Sequence, residues 1–112
     1  MEAFDLFALV AERDTSAARY REFLRKPSLS AGLYTLPAGA ADRQQPHQED
    51  EVYYVMRGQG MIRVGEEDRA VAPGTFVFVA ARVPHHFHNI REDLAILVLF
   101  APAESAPTSS NA

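Results

Sequence analysis

The feature that most constrains the fold of this chain is a series of short apolar segments separated by glycine and proline. The segments are rich in β-branched and aromatic residues, and they recur about every ten residues, which predicts an all-β sandwich or barrel. They lie at 20–24, 29–36, 52–56, 61–64, 69–72, 76–79, 83–90 and 94–100. Turns are predicted at 58–60 and 91–93, and the segments 76–79 and 94–100 are predicted to be buried strands. This pattern alone does not choose between an immunoglobulin-like sandwich and a jelly roll.

The two ends of the chain differ from this pattern. Residues 5–13 predict a short helix, with Asp5 as N-cap and with Leu6, Leu9 and Val10 on one face. Residues 104–112 are small and polar, which predicts a flexible tail. We therefore expect a single domain over residues 1–103, with its barrel core at about 28–101.

Length, charge and composition exclude several classes of function. A chain of 112 residues forms one domain, and its net charge of −4 gives no basic surface for nucleic acid. Without cysteine the chain has no disulfides, and any metal needs nitrogen and oxygen donors. The longest apolar run, 94–102, is too short to span a bilayer, and no secretory segment is visible. We expect a cytoplasmic protein without nucleic-acid or membrane partners.

All four histidines fall in two short blocks that contain glycine. The first block, 39–58, places His47 four residues before Glu51, and the second, 74–89, contains His85, His86 and His88. A histidine and a carboxylate in one block, with histidine in a distant second block, indicate a metal site that folding closes. Two imidazoles and one carboxylate suit a divalent transition metal.

These two blocks resemble the two motifs of the cupin superfamily, and the motifs together span about half the chain. The first motif is matched by a glycine, a histidine, a glutamate and a second glycine at the family spacing, and the second motif by a glycine, a histidine and an asparagine. The matching residues are Gly39, His47, Glu51 and Gly58, and then Gly74, His85 and Asn89. Gln45 stands where the family has its first histidine, and Ala80 and Arg82 stand where it has proline and glycine.

The resemblance implies a double-sheet jelly-roll barrel. It also implies one divalent metal, such as Fe, Mn, Ni or Zn, held by His47, Glu51 and His85. Two interpretations of Gln45 remain open. Its amide oxygen is the fourth ligand, or the amide hydrogen-bonds a metal-bound water.

Strand alternation adds expectations about direction. It turns Gln45 and His47 the same way, places His85, Phe87 and Asn89 on one face, and sends His86 and His88 to the other. Tyr53 has the parity of Glu51, so it lies either in the pocket or in the core, and Phe87 is a second candidate for the pocket.

Three further charged residues near the motifs are not predicted to be metal ligands. We expect Glu49 and Asp50 to lie on a solvated bend, with an acidic mouth as the alternative. We expect Arg82 to be an exposed loop residue, with an anion-binding group at the pocket rim as the alternative.

The resulting hypothesis is a metal-binding cupin that acts on a small molecule, with dioxygenase-like chemistry as the leading enzymatic interpretation. One alternative is a non-catalytic cupin that binds or senses a small molecule. A weaker alternative is an isomerase or epimerase that uses histidine as base, because no acid–base partner is identifiable. The apolar run 94–100 and the tendency of cupins to dimerise predict a homodimer formed by sheet packing or strand exchange.

Overall fold

The computed structural model describes residues 1–12 and 18–105, and within these ranges the chain is mostly β-strand. One helix, α1 (Leu6–Ala11), precedes six strands that form one antiparallel sheet. The strands are β1 (Arg19–Lys26), β2 (Leu29–Leu36), β3 (Asp50–Val64), β4 (Glu67–Val71), β5 (Phe76–Val79) and β6 (His85–Ala101). The prediction of an all-β chain with a short N-terminal helix is confirmed.

Two long strands connect the two halves of the sheet. The order is β1-β2-β6-β3-β4, and β5 pairs with β3 outside this path. The first half of β3 lies between the end of β6 and β5, whereas its second half lies between the start of β6 and β4. The β3–β6 pair therefore runs through the whole fold, and both candidate ligand blocks lie on it or beside it.

The predicted turns at 58–60 and 91–93 are wrong, because β3 and β6 continue through both places. The pairing of β3 with β6 shifts register between Val55 and Met61, and the buried face changes from odd to even positions along β3. Gly58 has a φ of 92°, and an added Cβ would lie 2.2 Å from the Asp93 carbonyl oxygen. The glycine thus marks a bulge with close backbone approach, since bulges and turns both favour this residue.

The interior and the outer surface of the sheet carry separate apolar clusters. Tyr34, Tyr53, Phe87 and Phe100 belong to the large inner cluster. A smaller cluster on the outer face joins Val10 of α1 to Leu33 of β2. The apolar face of α1 therefore covers part of the sheet from outside, as the helical periodicity predicts.

Several local predictions need correction. The helix is shorter than predicted, and the Asp5 side chain makes no capping hydrogen bond. Arg13, the last predicted helical residue, lies outside the described residues. The segment 76–79 is a strand, but Phe76 and Phe78 are 62% and 57% exposed because β5 lies at an edge of the sheet, where these rings point outward. Among the described residues, no helix has the length and hydropathy needed to cross a membrane.

Candidate metal centre

Folding brings together His47, Glu51 and His85, three of the four predicted metal ligands. His47 lies in the segment between β2 and β3, Glu51 is the second residue of β3, and His85 is the first residue of β6. One donor atom from each lies within 4.8 Å of the other two. The residues are 9%, 1% and 5% exposed, respectively, so the group sits inside the fold.

The donor atoms of this group face one another without hydrogen-bond partners. Glu51 Oε1 lies 3.0 Å from His85 Nε2 and 3.8 Å from His47 Nε2. Both Nε2 atoms and both Glu51 carboxylate oxygens are closed to solvent, and none makes a hydrogen bond. Burial of unpaired polar atoms costs about 1–3 kcal/mol each, and a cation bound among them would remove that cost. The donor set therefore fits a metal ion.

The other ring nitrogens have contacts that orient the two imidazoles. His85 Nδ1 lies 2.8 Å from the Val83 carbonyl oxygen, to which it can only donate. His47 Nδ1 lies 3.5 Å from Glu104 Oε2. With the proton on Nδ1, each ring directs the lone pair of Nε2 toward Glu51, which is the arrangement that metal-binding histidines commonly use.

The Glu51 carboxylate also changes the protonation of His85. Burial is the largest single influence and lowers the pKa of His85, but the contacts with the Glu51 carboxylate and the Val83 carbonyl and the charge of Asp42 together raise it, so the net shift is upward. A metal ion at Nε2 would compete with a proton for the same lone pair of His85, so its affinity would depend on pH.

Glu104 is a further residue of this site that was not predicted from the sequence, because it lies in the predicted flexible tail. The residue is 2% exposed, and its backbone is held by two contacts: Glu104 N donates to Ser30 Oγ, and Arg25 Nη2 donates to the Glu104 carbonyl oxygen. Burial first, and then the charges of Glu51 and Glu49, raise the pKa of Glu104 to about 8. No sequence motif contains Glu104. The rest of the predicted tail, residues 106–112, lies outside the described residues.

The two acids before Glu51 have different environments. Asp50 is exposed, and its carboxylate accepts a hydrogen bond from the Ala81 backbone N–H, in keeping with the predicted bend. Glu49 is buried, so the prediction of a solvated Glu49 is wrong. The chain turns inward between His47 and β3, which the run of acids does not reveal.

Gln45 is exposed, and the amide that turns inward is that of Gln44. Tyr53 Oη donates to Gln44 Oε1 at 2.8 Å, and Gln44 Nε2 donates to Asp42 Oδ2 at 2.5 Å. Strand alternation does not apply to Gln45 and His47, because this segment precedes β3 and is not a strand. Ligation by Gln45 stays a prediction.

Asp42 ties the segment that carries His47 to the barrel. Its carboxylate accepts hydrogen bonds from Tyr34 Oη and from the backbone N–H of Phe87, in addition to Gln44. At the other end, the backbone N–H of Arg82 donates to the His47 carbonyl oxygen at 2.6 Å. The irregular segment is therefore fixed at both ends by contacts that no sequence motif shows.

Tyr53 and Phe87, the two candidate pocket residues, are both fully buried in the inner core. Their rings meet edge to face with centroids 4.9 Å apart. Burial first, and then the charges of Glu51 and Asp42, raise the pKa of Tyr53 well above its usual range. The hydroxyl consequently keeps its proton at neutral pH and acts as a hydrogen-bond donor.

The remaining residues of the second block lie outside the centre. His86 and His88 are half-buried on the face opposite His85 and Phe87, as alternation predicts. Asn89 is exposed with a φ of 47°, so the prediction that it shares the face of His85 is wrong. It lies where the buried positions of β6 change parity. Arg82 is exposed, as expected, but has a left-handed φ of 67°.

A cavity of about 170 Å³ adjoins the group on the side of His47. Its lining is polar and contains two buried acids, Glu49 and Glu104, together with the exposed Gln45. This volume is small for a ligand pocket. It offers a small polar molecule a place beside the His47 ring.

The fold agrees with comparisons to known proteins. A protein-family model described as "Cupin domain" matches residues 32–101, which is more than half of the chain. The chain belongs to the cupin family, and its fold is the jelly-roll barrel that the motif resemblance predicts.

Three known proteins are similar to this chain. The chain is 50% identical over 105 residues to the protein SCO3923 of Streptomyces coelicolor, described as uncharacterized, covering 94% of this chain and 100% of that one. It is similar to the crystal structure of TT1209 from Thermus thermophilus, with 31% identity, a TM-score of 0.80, and coverage of 92% and 99%. The structure of ectoine synthase from P. lautus matches with 22% identity, a TM-score of 0.74, and coverage of 92% and 79%, which shows the fold alone.

Proposed function

We propose that this protein is a metal-binding cupin that holds one divalent transition metal at His47, Glu51 and His85. The observation that carries the proposal is the convergence of both Nε2 atoms and both Glu51 oxygens, all buried and all without hydrogen-bond partners. Without a cation this arrangement is costly. Orientation of the His85 ring by the Val83 carbonyl supports the same interpretation.

The donor types favour a transition metal over calcium or magnesium. Calcium takes six to eight oxygen ligands, and magnesium prefers oxygen and water. Imidazole suits Fe, Ni, Cu and Zn, and two imidazoles with one carboxylate leave coordination positions open. Fe, Mn, Ni, Cu and Zn therefore all remain candidates, because imidazole suits four of them and the carboxylate suits Mn.

We further propose a small-molecule enzyme, with oxygenase-like chemistry as the leading form. A metal in this position would supply Lewis acidity to a substrate oxygen. The cavity beside His47 provides space for a small substrate, and its acids Glu49 and Glu104 offer hydrogen-bond acceptors to it. That a cupin of similar fold is named a synthase supports the capacity of this barrel for catalysis.

Two alternative functions differ from this one in what they require of the site. A non-catalytic binding or sensing cupin would share the metal and the cavity but show no turnover. An epimerase-like cupin needs an acid–base pair; Tyr53 lies beside His85, but its hydroxyl donates to Gln44 and its pKa is raised, which disfavours proton transfer from it.

The first experiment is elemental analysis of untagged protein purified without chelators. We expect about one transition metal per chain in the wild type and little in His47→Ala and His85→Ala. His86→Ala is the matched control, because it removes an adjacent histidine on the opposite face. Full occupancy in both site variants would contradict the proposal.

Whether a small ligand can reach the metal distinguishes an enzyme from a protein with a purely structural metal site. Azide added to cobalt-loaded protein is expected to change the visible spectrum, because three protein ligands leave positions open. A spectrum that is indifferent to azide would mean a closed coordination sphere and would favour a structural role.

We also propose a homodimer that packs through an aromatic face, defined as the outer side of β3, β5 and the end of β6. Tyr54 pairs with Phe76, and Val52 pairs with Phe78 and Leu99, so these outward side chains form one patch. Phe76, Phe78, Tyr54 and Leu99 expose large apolar surfaces, and a flat sheet face of this kind fits a second identical sheet. The wild type should be dimeric at micromolar concentration by light scattering, and Phe76→Glu with Phe78→Glu should be monomeric. A monomeric wild type would overturn this proposal.

A further inference from the structure

His86 and His88 form a second pair of imidazoles outside the proposed metal centre. They are two residues apart on β6, so both side chains leave the same face of the strand. That face is opposite to the one that carries His85 and Phe87. Both residues are half-buried, which leaves them accessible from solvent without passage through the barrel.

The geometry of this outer pair nearly repeats that of the inner pair. The ring centroids of His86 and His88 are 5.4 Å apart with an interplanar angle of 46°. The corresponding values for His47 and His85 are 5.5 Å and 42°. Two imidazoles that share one metal at about 2.1 Å per nitrogen place their centroids roughly 5–6 Å apart. The outer pair therefore has the spacing of a chelating pair.

The surrounding sheet holds this spacing. His86 pairs with Arg63, and His88 pairs with Met61, in the regular ladder between β6 and β3. Sites on strands are held more precisely than sites on loops, because the ladder fixes the backbone. The backbone therefore keeps both rings on one face of the strand at this spacing.

Asp68 of β4 orients one of the two rings. His88 Nε2 lies 2.8 Å from Asp68 Oδ1, and an N–H at this position donates to the carboxylate. The lone pair then remains on His88 Nδ1, which is the relation of carboxylate, histidine and metal that many sites use. Arg63 Nη1 donates to Asp68 Oδ2, so the arginine charge near the pair is balanced.

We propose that His86 and His88 form a second metal site on the outer face of the barrel, which takes Cu²⁺, Ni²⁺ or Zn²⁺ through two imidazoles and completes its coordination with water. Imidazole donors select these ions over calcium and magnesium, and Cu²⁺ binds most tightly among them. Open access and only two protein ligands make this site weaker and faster to exchange than the inner centre. The proposal does not depend on the inner centre binding metal.

Copper titration of untagged, chelator-treated protein by calorimetry tests this site. We expect two binding events in the wild type and loss of the weaker one in His86→Asn and in His88→Asn. Asp68→Asn should weaken the same event by roughly tenfold. Arg91→Gln is the matched control; it removes an exposed charge from the same strand and leaves both imidazoles and Asp68 in place, so the event should persist.

The spectrum of bound copper identifies the donors. In His47→Asn with His85→Asn, the remaining copper should show hyperfine coupling to two nitrogens, and this coupling should disappear when His88→Asn is added. A wild type that binds one copper, lost only in His88→Asn, would refute the inner centre and support the outer one. A weaker event that persists unchanged in both His86→Asn and His88→Asn would overturn this proposal.

Discussion

Glu104 Oε2 lies 3.5 Å from His47 Nδ1, on the side of the ring away from the other two candidate ligands. The contact links the end of the described chain to the metal centre, although the two residues are far apart in sequence. A carboxylate at this position stabilises the Nδ1–H tautomer and raises the basicity of Nε2. Because the pKa of Glu104 is about 8, this support is complete only above that pH, and Glu104 would couple the affinity for a metal to protonation.

Glu104→Gln is expected to weaken metal binding by roughly 10- to 100-fold, because an amide holds the His47 ring without the negative charge. The measurement is competition with a coloured zinc chelator at about pH 9, above the Glu104 pKa of about 8, where the wild-type side chain carries its charge. Glu49→Gln is the control, since Glu49 is also a buried acid of the cavity. Equal affinity of wild type and Glu104→Gln would show that the contact does not support the metal.

The metal-free protein is expected to lose stability as pH rises. Glu104 has an ordinary pKa of 4.5 and a folded value of about 8, so the folded state holds a proton that the unfolded state releases between these values. The raised pKa of His85 acts in the same direction, with its stabilisation present below the usual value of 6.5 and lost above it. The free energy of unfolding therefore decreases from about pH 4.5 to about pH 8 by on the order of a few kcal/mol.

Urea unfolding of chelator-treated protein across this pH range measures the effect. Glu104→Gln removes one titrating group, so its stability should depend less on pH and should exceed that of the wild type at pH 8. Bound metal should reverse the trend, because protons and metal compete for His85. Metal-free wild type that gains stability from pH 5 to 8 would contradict the assignment.

Asp42→Ala is expected to destabilise the fold by about 3 kcal/mol, because it leaves Tyr34 Oη and the Phe87 N–H without their acceptor. It should also lower metal affinity, since the segment with His47 loses its attachment. Asp50→Ala is the control; it is exposed and accepts one backbone hydrogen bond, so its cost should be about 1 kcal/mol. Denaturant unfolding with and without metal separates the two effects.

The sequence predicted which side chains converge better than it predicted the path of the strands. The resemblance to the cupin motifs grouped His47, Glu51 and His85, and the fold brings these three side chains together. Alternation failed at Asn89, since bulges in β3 and β6 change which parity is buried. A glycine at position 58 is compatible with a bulge as well as with a turn, because both can require a positive φ. The sequence therefore did not reveal that β3 continues through this position.

Other site residues left no sequence signal. Glu104 and Asp42 act through contacts between segments far apart in the chain, and a single acid in a polar stretch predicts only solvation. Gln44 and Gln45 are adjacent and chemically identical, so only the direction of an irregular segment decides which amide turns inward. Strand alternation predicted that His86 and His88 point away from His85, but the distance between their rings follows from the pairing of β6 with β3.

Gln45 is tested by two substitutions. Gln45→Ala should reduce metal affinity about tenfold or more if the amide oxygen is a ligand, and should leave affinity unchanged if the side chain stays exposed as in the structure. Gln45→His should bind metal at least as tightly as the wild type, because an imidazole at this position is the usual family donor and the adjoining cavity leaves it room. Chelator competition measures both, and Gln48→Ala, at another residue of the cavity lining, is the control. A folded Gln45→His variant that loses metal would mean that the centre accepts an amide but has no space for a third imidazole.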